Sequence, residues 1–195
     1  MPSRFIPVPL EHASRLLNHG PTVLVTSRHG DRRNIMAAAW SMPVEFTPPR
    51  IAVVIDKRTY TRELVEASGS FAICIPGAGF VDRTYAVGSV SGADGDKFAR
   101  FGIEPLHGPA LGLPVLEDGM AAWLECRRIP ETHTEDAYDT CFAEVVSAAA
   151  DPAVFVSGHW EFREDNRALH TLHHLGAGNF AVAGVTIKAT PLTGS

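Results

Sequence analysis

The sequence predicts a mainly β fold, an antiparallel barrel with a few inserted helices, and three observations carry that reading. Short β-branched or apolar runs recur along the chain, each bounded by Gly, Pro or polar turn residues. Helical stretches are few and never alternate with strands in a βαβ rhythm, which argues against a doubly wound parallel sheet. The length of 195 residues suits one barrel domain over residues 1–195, and no repeat or low-complexity tract divides it.

In chain order, residues 22–28 form a β-branched strand, and His29-Gly30-Asp31 turns it into a return strand over 34–41. Pro48-Pro49 punctuates the chain before a third strand over 50–56. Thr59 then caps a helix over 60–68, with Leu64, Val65 and Ala67 as its apolar positions and Gly69 as its stop. A fourth strand over 71–75 ends at Pro76-Gly77. The stretch 78–102 reads as helix and loop, with a Gly-Ser-rich interruption over 88–95 and a short helix over 96–101. Residues 105–117, rich in Gly and Pro, read as irregular. Two long neighbouring strands, 120–129 and 139–149, are separated by a polar turn over 130–136. An aromatic segment (Phe155, Trp160, Phe162), a His-rich stretch and a last strand over 180–187 complete the chain.

Composition narrows the function. Hydrophobic residues make up 45% and charged residues 20%, so the chain buries a core without disulfides or a structural metal. The net charge of −5 argues against nucleic acid as a partner, so any bound anion needs a local cluster of donors. Cys74, Cys126 and Cys141 form no CxxC pair, and two of them sit in apolar runs as buried thiols. The first ten residues lack the apolar core of a signal peptide, and no apolar run reaches membrane-spanning length. The expectation is a cytoplasmic protein with no membrane partner.

Three stretches offer chemistry. Asn34, Ile35, Met36, Ala37, Ala38, Ala39 and Trp40 place three consecutive alanines on one strand, leaving room for a flat ligand against the backbone. The same residues also fit a closely packed strand pair. Residues 56–62 set Lys57, Arg58 and Arg62 beside Thr59, Tyr60 and Thr61 where a strand ends and a helix begins. Free N–H groups and the helix dipole favour a phosphate there, although a solvated, capped helix start reads the same way. The loop 88–98 brings Ser91 and Lys97, a possible second cation for the same anion, or a plain surface loop. Gly176-Ala-Gly-Asn-Phe-Ala181 has the letters of a dinucleotide fingerprint but precedes a strand, so a Rossmann site is rejected. His159, His170, His173 and His174 invite a metal reading, and His170 and His174 share a face if helical, yet no third ligand lies at a recognisable spacing. A packed or exposed histidine group and a role at a ligand's edge are the alternatives.

Together, Asn34 to Trp40, Lys57-x-Thr-Tyr-Thr61, Ser91-Gly-x-x-x-Asp-Lys-Phe98, Leu124-Glu-Cys126 and Leu175-Gly-x-Gly-x-Phe180 resemble the flavin reductase-like family, its flavoredoxin branch in particular. The resemblance implies an FMN-binding split barrel that forms homodimers, with non-covalent FMN in a groove near the subunit boundary. It places Asn34 to Trp40 along the isoalloxazine and ribityl chain, and Lys57, Thr59, Tyr60, Thr61, Ser91 and Lys97 on the phosphate side. It implies hydride transfer from NAD(P)H through FMN to free flavin or another acceptor, with no catalytic acid, base or nucleophile from the protein. The alternatives are a flavoredoxin-like electron carrier reduced by a redox partner protein, and a flavin-binding protein without turnover. One departure stands out: where many relatives carry Gly-Asp-His, this chain reads Asp136-Ala137-Tyr138, which puts nicotinamide use in question. Apolar residues 120–124 and 180–187 are the expected dimer surfaces.

Overall fold

The structure, a computed structural model, describes residues 3–191. After a two-residue strand β1 (Ile6–Pro7) and a 3-10 segment, the hairpin forms from β2 (Val23–His29) and β3 (Arg32–Ala38), in register from Val23↔Ala38 to His29↔Arg32. Two further strands follow, β4 (Ser41–Phe46) and β5 (Pro49–Val54). Helix α1 (Tyr60–Ser68) has Thr59 at its N-cap, where the side chain accepts from Arg62 N, and Gly69 at φ 70° beyond its end. Next come β6 (Ser70–Pro76), α2 (Val81–Gly88) and α3 (Lys97–Arg100). The pair β7 (Leu106–His107) and β8 (Pro114–Val115) precedes the long β9 (Met120–Ile129), α4 (Thr132–Tyr138) and β10 (Thr140–Ala150). The small pair β11 (Phe155–Val156) and β12 (His159–Trp160) leads to a closing hairpin, β13 (Leu172–Gly176) and β14 (Asn179–Val182).

The main sheet runs β3-β2-β6-β9-β10-β5-β4, with every neighbouring pair antiparallel and β1 added on β10. Among the described residues no ladder joins β3 to β4, so the barrel is split. Its strands read as continuous apolar runs because both faces are covered, and the period of two sorts the side chains between two cores. Val23, Val25, Phe71, Ile73, Ile75 and Leu124 point into one core. Leu24, Ala72, Cys74 and Trp123 point into the other, with Phe80, Val87, Phe98 and Leu113. On that second side Glu125 is fully buried, and its carboxylate accepts from the N–H groups of Ala110, Leu111 and Leu113. Loop 108–113 is thereby tied to β9, and Gly108 lies so close to Glu125 that a Cβ there would sit 2.2 Å from Oε1.

The structure departs from the sequence reading in five places. The return strand stops at Ala38 rather than running to residue 41, and β4 forms over a stretch to which the sequence reading gave no element of its own. The polar turn before β10 is a helix, α4, since Glu135 is buried against Arg128 and Arg62 and anchors it. Residues 105–117 contain the short β7–β8 pair. His174 lies on a strand and His170 closes a 3-10 segment, so they share no helical face. The last strand is short and pairs with the His-rich stretch, while among the described residues those beyond Val182 carry no ladder. Among the described residues no helix is long and apolar enough to cross a membrane.

Candidate functional site

Strand β3 connects two hollows. At the first, Lys57, Thr59, Tyr60 and Ser91 line a shallow basin of about 410 Å³ with Arg58, Glu63, Glu66 and Ala93. The start of α1 opens onto it. Thr59 holds the N–H of Arg62, and its hydroxyl donates to Asp56 O at 2.8 Å. Among the described residues the N–H groups of Tyr60 and Thr61 have no protein acceptor, as expected for a helix's first turn. Behind the basin Thr61 is buried and accepts from Asn34 Nδ2 at 2.8 Å, which ties α1 to β3. Asn34 Oδ1 is buried without a partner, and a Cβ on Gly92 would lie 2.2 Å from it. Only glycine lets the loop carrying Ser91 pack so closely on β3.

The cations of the basin are already engaged with the protein. Lys57 Nζ donates to Asp136 O at 2.5 Å, which joins the basin to α4, and lies 3.7 Å from Asp139. Arg58 pairs with Asp56, and those hydrogen bonds hold the Asp56 carboxyl down at about 2. Lys97 lies outside this basin's lining. Its Nζ turns inward, donating to Ile35 O at 3.0 Å and Val87 O at 2.7 Å, and burial pulls its pKa down to about 8. It fastens β3 to the end of α2.

The second hollow is a slot of about 210 Å³ whose floor is Ala37, Ala38 and Ala39. Opposite stand Thr84, Tyr85, Gly88 and Ser89 from α2 and the residues after it, with His174 and Phe180 from the closing hairpin. A Cβ on Gly88 would sit 3.1 Å from Ala37 Cβ, so small residues on both elements set the slot's narrow width. From Asn34 to Ala38 is about 13 Å at strand spacing. A flat ring in the slot and a phosphate in the basin are therefore compatible with one ligand lying along β3. The sequence pointed to the alanines, and raised His174 only within the histidine group, but missed Tyr85 and Phe180 as lining residues, which only tertiary folding brings to the slot. Ile35 is a core residue, Met36 is half-buried, and Trp40 is 74% exposed at the turn into β4. Tyr138, at the end of α4, is exposed and meets the His133 ring edge-on. Cys74 and Cys141 are buried, and desolvation pushes their thiols up to about 12 and about 11, which leaves them unreactive.

Comparison with known proteins fits this geometry to a family. The family model described as the flavin reductase like domain matches residues 15–162. The chain belongs to that family. Among its relatives, the uncharacterized protein YddH of Escherichia coli K12 is 60% identical over 189 residues, covering 96% of this chain and 99% of its own. The FMN-binding domain of a flavin reductases-like enzyme from Shewanella baltica OS155 is 42% identical with a TM-score of 0.91, covering 95% of this chain and 97% of that one. Flavoredoxin of Desulfovibrio vulgaris Miyazaki F is 26% identical with a TM-score of 0.74, covering 87% and 90%. The split antiparallel barrel of this chain is thus the flavin reductase-like fold.

Proposed function

We propose that residues 1–195 act as one unit that binds FMN non-covalently and works as a cytoplasmic oxidoreductase of the flavin reductase type, as a homodimer. The observation that carries this reading is the pairing of two hollows along β3: a narrow slot floored by alanines, and a basin at a helix start with unpaired N–H groups. When bound, FMN supplies the redox chemistry, with NAD(P)H as the hydride donor and free flavin or another acceptor downstream. The protein's part is to hold the ring against Ala37–Ala39, take the phosphate at Tyr60 and Thr61, and add charge from Lys57. Tyr138 in place of a histidine favours a second reading, an electron carrier reduced by a protein partner. Stopped-flow bleaching of the bound flavin by NADH or NADPH separates the two. Fast bleaching supports the reductase, and slow bleaching with fast reduction by a carrier protein supports the second reading.

Titration with FMN and riboflavin tests the basin. A charge-assisted hydrogen bond contributes about 1.5–3 kcal/mol, so Lys57→Ala should weaken FMN about tenfold or more and leave riboflavin nearly unchanged. Thr61→Val should weaken FMN more than riboflavin. Lys97→Met should weaken both flavins together, because it frees β3 from α2. Equal losses of FMN and riboflavin in Lys57→Ala and Thr61→Val would remove the phosphate from this basin.

A further inference from the structure

The slot's far wall is the β13–β14 hairpin, which brings one ionisable side chain with no role in the reading so far. His174 lines the slot, and its cross-strand partner Phe180 lies 5.1 Å away at 52° between ring planes. The backbone holds it in place. His174 N donates to Thr22 Oγ1 at 2.9 Å, and Thr22 N donates to Leu172 O at 2.7 Å, so β13 is fastened to the start of β2. At the hairpin's tip a Cβ on Gly178 would sit 3.2 Å from the Tyr85 ring, so the tip rests on α2 across the slot.

The charges around the slot are few. Its floor on β3 is methyl groups, and Tyr85 on α2 is the other ionisable residue in the lining. Among the described lining residues there is no carboxylate, lysine or arginine. Alternation along β13 turns His173 to the opposite side, where its ring packs 5.7 Å from that of His19. An imidazolium at His174 would therefore act on a bound ring without a lining counter-charge, in a half-enclosed space where charges interact more strongly than in water.

We propose that His174 is a positioning residue that sets the redox balance of the flavin held in this slot, its cationic form favouring the reduced ring over the oxidised one. This rests on the reading that FMN occupies the slot. Two-electron reduction, FMN + 2e⁻ + H⁺ → FMNH⁻, leaves one negative charge on the ring. His174 takes its own proton from solvent and forms no bond to the flavin. Imidazole as a side-chain type gains charge on acidification, so a comparison across pH is the lever that tests the preference.

The test measures the dissociation constants of oxidised FMN and of dithionite-reduced FMN, anaerobically, at about pH 6 and about pH 9. For the parent protein the oxidised-to-reduced ratio should be about tenfold larger at the lower pH than in His174→Gln, and the two should converge at the higher pH. His174→Lys should keep the larger ratio at both pH values. Unaltered oxidised-FMN affinity in His174→Gln shows that the hairpin is intact. The proposal is overturned if parent and His174→Gln share one ratio at both pH values, or if His174→Gln weakens both redox states equally. A parent that binds neither FMN state overturns the FMN reading itself, a result separate from either of these.

Discussion

At the scale of single residues, burial decides which polar groups are structural. Glu125 sits in the second core with three backbone donors on its carboxylate, which gives the Leu124-Glu-Cys126 motif a physical reason. His19 is a different case. Its Nε2 meets Thr171 Oγ1 at 2.8 Å, its Nδ1 is buried without a partner, and Trp160 and Phe162 pack against its ring. Desolvation, and then the nearby His173, lower its pKa from 6.5 to about 4. The folded state thus refuses a proton that the unfolded chain accepts. The stabilisation is fully present above about pH 6.5, declines as pH falls, and is gone below about pH 4. A shift of this size corresponds to roughly 3 kcal/mol. Urea midpoints at pH 7 and pH 4.5 should show a large drop for the parent and a clearly smaller one for His19→Leu. Equal drops in both proteins would assign the acid sensitivity to other groups.

At the scale of elements, the sequence was most legible where local signals and tertiary packing agree. Helix α1 runs from Thr59 as cap to Gly69 as stop, as its pattern predicted, and β9 keeps its predicted bounds of Met120–Ile129. Strand β4 was missed because its apolar residues alternate toward solvent, the reverse of the usual pattern, amid three prolines. Helix α4 was missed because its anchor, Glu135, is a buried acid whose partners Arg128 and Arg62 come from other elements. Its sequence looks like a polar turn. Of the candidate site, the helix start and the alanine strand were legible, whereas the inward turn of Lys97 depends on carbonyls at Ile35 and Val87 that no sequence pattern displays. The closing hairpin carries a local conflict of its own. Its two-residue loop, Ala177-Gly178, has φ of 49° and 78°, both left-handed, where Asn-Gly is the favoured pair. Alanine is strained there, so Ala177→Asn should stabilise the protein by about 0.5–1 kcal/mol. Thermal and urea unfolding read this out, and an unchanged or lower midpoint would show that the turn relaxes when the hairpin is free in solution.

At the scale of the whole molecule, the open sheet leaves an edge that asks for a partner. Trp40, Met42, Val44 and Phe46 fall on alternate positions of one run, and they are 74%, 57%, 40% and 68% exposed. Four large exposed apolar side chains along one edge strand, which is bulged between Pro43 and Glu45, form the kind of patch that marks an interface. This revises one of the two expected dimer surfaces, since Val182, Val185 and Ile187 of the other are exposed. Met120, Ala121, Ala122 and Leu124 are wholly buried inside the chain, and Trp123 is 5% exposed, so that stretch has no surface to offer. In the proposed homodimer the β4 row, which continues directly from the alanine floor of the slot, would take its place and set the subunit boundary beside the proposed ring site. A stable dimer buries about 1,600 Å² in total, with large side chains at its centre. Met42→Glu with Phe46→Glu places charge in that centre without touching either core. Sedimentation equilibrium at micromolar concentration should give a dimer for the parent and a monomer for the double variant. FMN affinity should fall along with the dimer, since the end of the slot next to Trp40 would lose the cover of the second subunit. A parent that is monomeric with FMN present, or a double variant that stays dimeric, would place the interface elsewhere and leave the β4 row as a solvent-facing edge.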